Sequence, residues 1–260
     1  MFPTLFLSHG APDLLLQASP FRHFLTQLGP TLGKPAGILV VSAHWLTAAP
    51  TVSTVESAKT IHDFYGFPDE LYQLHYRAPG APELAQQIVK RLQSAGFAVQ
   101  TQADRGLDHG AWEPLMLMYP EADIPVTQLS LQPQLGPAYH LRLGRALSAL
   151  RDHTLIIGSG SATHHLGAFG RYEFDATPPD WVQAFDTWLA AILAQDLSQS
   201  LTALLNYRQQ APFATENHPS EEHLLSLFVA LGAAGATAQS QQIHASFTHG
   251  ILSMASYRFD

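Results

Sequence analysis

The chain has 260 residues, 46% of them apolar, which is enough for the core of one large α/β domain. A formal net charge of −8 argues against nucleic acid or an anionic membrane as the main partner, because either calls for a basic face. The absence of cysteine excludes disulfides, thiolate metal ligands and a cysteine nucleophile, and it leaves the 14 histidines as the main chemical resource.

The N-terminus, Met1 to Leu7, has no basic n-region, and no run approaches the ~18 apolar residues needed to span a bilayer. A soluble, cytoplasmic protein is expected. The first apolar run, Leu5-Phe-Leu-Ser-His-Gly-Ala-Pro12, does not alternate, and neither does its echo, Ile38-Leu-Val-Val-Ser-Ala-His-Trp45. Such runs suit strands buried on both faces of a parallel sheet. Between them, Ser19-Pro20 reads as an N-cap with proline at the first helical position, opening a helix to about Leu28 that Gly29-Pro30 stops. Together these make a βαβ unit.

Thr51 to Val55 alternates as a further strand. Ile61 to Pro79 has no period and is rich in aromatics, a loop long enough to be functional. Pro82 opens a helix with Leu84, Ile88 and Leu92 on one face, ended by Gly96. Strands are expected at Phe97–Gln102, Ile124–Leu131 and Thr154–Gly158, with helices over 112–118 and 137–150. Helices follow at 179–195, 197–206 and 220–231. The end of the chain, Gln241 to Phe247 and Leu252 to Tyr257, reads as a hairpin. The expectation is a single α/β domain over residues 1–260: a mostly parallel central sheet flanked by helices, with a C-terminal β-hairpin.

Ligands collect beyond the carboxyl ends of parallel strands, so His9 and His44, each just past a strand end, can converge on one point. Without cysteine, a metal there would take imidazole or carboxylate donors, which suit zinc or iron(II). Glu221-Glu222-His223 opens a late helix. Capping explains the two glutamates, but a cationic histidine would oppose the helix dipole, whereas a neutral metal-bound one would not. His164 and His165 follow another strand end, and an imidazole there suits acid/base work; the residues alone do not say which of the two points inward. Asp108-His109 reads either as an Asp N-cap beside a solvent-facing histidine or as part of the site. His62-Asp63-Phe64-Tyr65 reads as an aromatic wall or as a packed loop. His23, His75, His140, His153, His244 and His249 have no convergent context.

Ser8-His9-Gly10-Ala-Pro12, Ser42-Ala-His44-Trp45, Ile61-His-Asp-Phe-Tyr-Gly-Phe-Pro68, Leu107-Asp-His-Gly-Ala-Trp112, Gly158-Ser-Gly-Ser-Ala-Thr-His164 and Glu222-His223 are spread, in that order, over nearly the whole chain. In these motifs the sequence resembles the DOPA 4,5-dioxygenase-like branch of the class III extradiol ring-cleavage dioxygenases. The resemblance implies that His9, His44 and His223 hold the metal, with His164 as acid/base or an additional ligand. It also implies that His109 and His62 line the substrate pocket, His109 serving as an alternative proton donor. Ring cleavage of a catechol-type substrate with dioxygen would call for Fe(II), while Zn(II) in the same site would suit a zinc-dependent hydrolase. A non-catalytic binding module that kept the fold is the third reading, and the intact set of histidines argues against it.

Overall fold

The computed structural model describes residues 1–260, with Ser198 described by its backbone alone. In chain order the first half contains β1 (Thr4–Ser8), α1 (Pro20–Leu32), β2 (Gly37–Ser42), β3 (Thr51–Ser53), α2 (Pro82–Ser94), β4 (Gln100–Gln102), α3 (His109–Met118) and β5 (Val126–Gln128). The second half contains α4 (Gly136–Arg145), β6 (Thr154–Gly160), α5 (Asp180–Leu193), α6 (Leu197–Leu205), α7 (Tyr207–Gln210), α8 (Ala214–Asn217) and α9 (Glu222–Ala234). It closes with β7 (Ser240–His244), β8 (Phe247–Thr248), β9 (Leu252–Ser253) and β10 (Ser256–Phe259).

The central sheet has the order β5-β2-β6-β1-β10-β7. Its first four strands are mutually parallel, while β10 and β7 continue it antiparallel. Side chains in the parallel strands alternate between two cores. Phe6, Leu39, Val41 and Ile156 face one core, with α2, α4, α5 and α9. Leu5, Leu7, Ile38, Val40, Leu155 and Ile157 face the other, with α1 and α3. Burial on both faces is why these runs carry no polar alternation. Strand β6 lies between β1 and β2, so the βαβ unit at the start of the chain spans a gap filled much later in the sequence. The carboxyl ends of β1, β2 and β6 therefore share one edge of the sheet.

Several boundaries differ from expectation. Helix α1 runs through Gly29-Pro30 to Leu32. Gly29 lies against the Met118 backbone, where a Cβ would stand 1.9 Å from a carbonyl oxygen, and the missing N–H of Pro30 costs only one bond near the helix end. Helix α3 begins three residues before Trp112, at His109. The strands at 51–53 and 100–102 form a separate two-stranded parallel sheet. The C-terminal hairpin extends the main sheet, with β10 placed between β1 and β7. No helix among the described residues is long and apolar enough to cross a membrane.

Helix α9 is buried from His223 to Ala234 because α4 packs over the face turned away from the sheet. The close approach depends on Gly232, where a Cβ would sit 2.1 Å from the Leu141 carbonyl oxygen. Gly232→Ala is expected to lower stability by about 1–3 kcal/mol through overpacking, read as a lower urea midpoint at unchanged slope. In α3, Glu113 is fully buried, and neither carboxyl oxygen has a hydrogen-bond partner among the described residues. Burial pushes its carboxyl up to about 8. The folded protein therefore holds a proton there that the unfolded chain releases near pH 4, and stability falls as pH rises from about 5 through 8. Glu113→Gln removes this contribution. Urea unfolding at pH 5, 7 and 9 is expected to show the wild type losing stability relative to the variant as pH rises, and parallel profiles would contradict it.

Candidate active site

Strand ends supply the first two imidazoles. His9 follows Ser8, the last residue of β1, and His44 lies two residues beyond Ser42, the last of β2. The serines fix both loops. Ser8 Oγ donates to the Ala255 carbonyl and accepts from the Ala162 N–H. Ser42 Oγ donates to Asp108 at 2.6 Å and accepts the His44 N–H. The third imidazole, His223, comes from the start of α9, which reaches the sheet edge because Gly160 has no side chain. A Cβ there would meet the His223 carbonyl oxygen at 1.9 Å.

Nε2 of His44 is 3.0 Å from Nε2 of His9 and 3.3 Å from Nε2 of His223. One nitrogen from each of the three lies within 4.8 Å of the other two. The opposite nitrogen of each ring faces a partner. Ser159 Oγ gives its hydrogen to the Gly110 carbonyl and so accepts from His9 Nδ1 at 2.9 Å. His223 Nδ1 donates to Glu222 Oε1 at 3.1 Å. His44 Nδ1 faces Asp63 Oδ2 at 3.6 Å. A proton held at Nδ1 leaves the Nε2 lone pair free, the arrangement found behind metal-bound histidines. Burial, reinforced by the neighbouring imidazoles, holds His9 and His223 well below the usual histidine range and His44 at about 3, so all three rings are neutral.

Three neutral nitrogens this close are poorly served by hydrogen bonds alone. One N–H on His44 can bridge to a single neighbour, leaving the remaining lone pair opposed. A divalent cation satisfies all three donors, and the set fits zinc or iron(II) with positions left open.

Two further imidazoles flank this point. His164 stacks on His223, ring centroids 3.4 Å apart and planes 11° from parallel. Burial lowers it to about 3, so it is neutral. His109 is buried, and its Nδ1 and backbone N–H both donate to Asp63 Oδ1, at 3.1 and 2.9 Å. Burial would lower His109, but the bond to Asp63 and the nearby carboxylates raise it. Burial would likewise raise Asp63, yet the His109 bond takes it down to about 2. Asp63 thus ties His109 to His44.

All five imidazoles line one cavity of about 600 Å³, walled by Phe64, Phe67, Phe169 and Leu252. His62, grouped with them from the sequence, does not line it. Its Nε2 meets the Leu74 carbonyl, and its ring packs on Phe64, Tyr72, His75 and Trp112 behind the wall. Of the pair at the third strand end, His164 faces the cavity, while His165 turns to the Glu216 carbonyl and Trp181. His109 is not solvent-facing. Asp108, although at the N-cap position, makes no cap and is fully buried between Ser42, Arg105 and Gln128. Glu221 and Glu222 do not cap α9 either: Glu221 accepts from Tyr207, and Glu222 orients His223. His218, for which the sequence pattern carries no signal, is buried with Nε2 at the Ala162 carbonyl, bracing the loop to His164.

Comparison with known proteins gives the family. The chain is 46% identical over 267 residues to a 4,5-DOPA dioxygenase extradiol of Beta vulgaris, covering 98% of this chain and 96% of that one. It is 40% identical over 232 residues to a protein of the same name from Escherichia coli K12, covering 89% and 84%. The crystal structure of an uncharacterized protein from Escherichia coli K12 superposes with a TM-score of 0.83 at 35% identity, covering 99% of both chains. Residues 4–260 match the family described as the catalytic LigB subunit of aromatic ring-opening dioxygenase, and the chain belongs to that family.

Proposed function

We propose that this protein opens the aromatic ring of a catechol-type substrate with dioxygen, using ferrous iron held by His9, His44 and His223. One observation carries the reading: three Nε2 atoms, each backed at Nδ1, converge at a largely apolar cavity that two more imidazoles share. Bound there, ferrous iron supplies the redox chemistry that lets dioxygen react with an aromatic diol, which zinc cannot supply. The relatives named above as 4,5-DOPA dioxygenases support this and lend nothing to a zinc hydrolase.

The chain's own residues bind, orient and move protons. Phe64, Phe67 and Phe169 offer aromatic faces to the ring and exclude water. His164, neutral at pH 7, takes the hydroxyl proton of the diol. His109, made more basic by its bond to Asp63, serves as the proton donor later in the reaction. Two histidines pushed in opposite directions by their surroundings divide the base and acid roles between them.

We assign His164 to proton transfer rather than to a fourth ligand position. His9, His44 and His223 would hold the metal, while the His164 ring lies face to face on His223, centroids 3.4 Å apart, beside the ligand set. His44→Ala is therefore expected to abolish stoichiometric metal binding, whereas His164→Ala keeps the metal and loses turnover by roughly 10²–10⁴-fold. Metal analysis with an oxygen electrode reads both; metal lost from His164→Ala would make it a ligand. Iron-loaded wild type is expected to consume dioxygen with catechol and develop the yellow colour of a semialdehyde, and zinc-loaded protein is not. Ester or amide hydrolysis by the zinc form, with no oxygen uptake by the iron form, would overturn the proposal.

A further inference from the structure

The part of the cavity wall that carries Phe169 has little of its own to hold it. Residues 165–179, on the way from β6 to α5, contain one short 3₁₀ turn, Leu166–Ala168, and among the described residues of this stretch Ala168 alone is buried. Leu166 and Phe169 line the cavity, and Phe169 meets Phe67 of the opposite wall with ring centroids 6.3 Å apart. A segment with so few buried contacts belongs to the least stable part of a fold. Whatever anchors it also sets the shape of the cavity.

The anchor is the turn between β8 and β9. His249 and Gly250 there have φ of +52° and +64°. Glycine enters this left-handed region freely, but a residue with a side chain does so at a cost. The histidine is therefore a backbone outlier, and such outliers point to a role for the side chain. The three half-buried aromatic side chains of the wall segment, Phe169, Tyr172 and Phe174, all meet this turn. The His249 ring packs on Phe169 and Phe174, at centroid distances of 4.7 and 5.1 Å. Its backbone N–H donates to the Phe174 carbonyl at 2.7 Å. Gly250 lies against Tyr172, where a Cβ would stand 3.0 Å from Cγ of that ring.

The His249 side chain is held in turn. Its Nε2–H donates to Asp13 at 3.2 Å, and the two side chains are only 12% and 16% exposed. Asp13 directly follows Gly10, Ala11 and Pro12, which lead out of the His9 turn and line the cavity on that side. His249 thus joins the turn that carries His9 to the loop that carries Phe169, without lining the cavity itself.

We propose that His249 is a positioning residue, bracing the 165–179 segment against Asp13 so that Phe169 stands where the substrate ring packs. The inference rests on the dioxygenase reading only for what fills the cavity. Trypsin reads the brace without any substrate, because Arg171 is exposed within the segment. His249→Gly suits the backbone of the turn better than histidine does, so it separates the side chain's role from the turn's. In iron-loaded protein kept free of oxygen, cleavage after Arg171 is expected to be at least about tenfold faster in His249→Gly than in wild type, and less strongly accelerated in Asp13→Asn. Metal stoichiometry is expected to stay unchanged, while 4-methylcatechol binds roughly fivefold more weakly to His249→Gly. Cleavage of His249→Gly no faster than wild type would show that the residue only makes the turn, and would overturn the inference. Faster cleavage with 4-methylcatechol held as tightly as by wild type would overturn it too, as would loss of the metal from His249→Gly. Faster cleavage in a protein whose wild type binds no 4-methylcatechol would uphold the brace and remove the dioxygenase reading instead.

Discussion

Three imidazole lone pairs brought together, the His44 Nε2 at 3.0 Å from that of His9 and 3.3 Å from that of His223, repel unless something positive lies between them. The rest of the site follows from holding them there. Ser159 and Glu222 hydrogen-bond the far nitrogens of His9 and His223, which fixes their tautomer and rotation, and Asp63 faces that of His44 at 3.6 Å. The strand-end serines lock the loops that carry His9 and His44. Gly160 lets α9 come close enough for His223 to join them. The buried neutral rings lie in a sheet edge stiffened by cores on both sides, so the mutual approach is a property of the fold rather than of a flexible loop.

Much of this was legible in the sequence because burial leaves a plain mark. Apolar runs ending at Ser8 and Ser42, and another over Thr154–Gly158, announce strands covered on both faces, and parallel strands put their carboxyl ends on one edge. That was enough to bring His9, His44 and the 159–165 turn together. His223 stood out because a charged histidine is a poor choice for a helix N-terminus. The preference for His164 over His165 came only with the family resemblance, since both residues look alike from the chain and only tertiary packing turns one of them away.

What the sequence hid was the second layer. Ser159 reads as one small residue in a small-residue turn, and Asp63 as a loop carboxylate; nothing local says that each will meet an imidazole from another element. Capping was the natural account of Asp108 and Glu222, and the structure gives both carboxylates to side chains instead. His62 sits one residue from Asp63, yet the loop turns it behind the wall to the Leu74 carbonyl. The order of strands was similarly beyond local pattern, since β6 enters between β1 and β2 from far along the chain. These are contacts between distant segments, which periodicity does not encode.

X-ray absorption at the iron edge of the reconstituted wild-type protein tests the central claim most directly. The account predicts one iron per chain with scattering from three imidazole nitrogens, the remaining coordination coming from light oxygen ligands that exchange when a catechol is added. A shell containing four imidazoles, or only two with a carboxylate in place of the third, would contradict it.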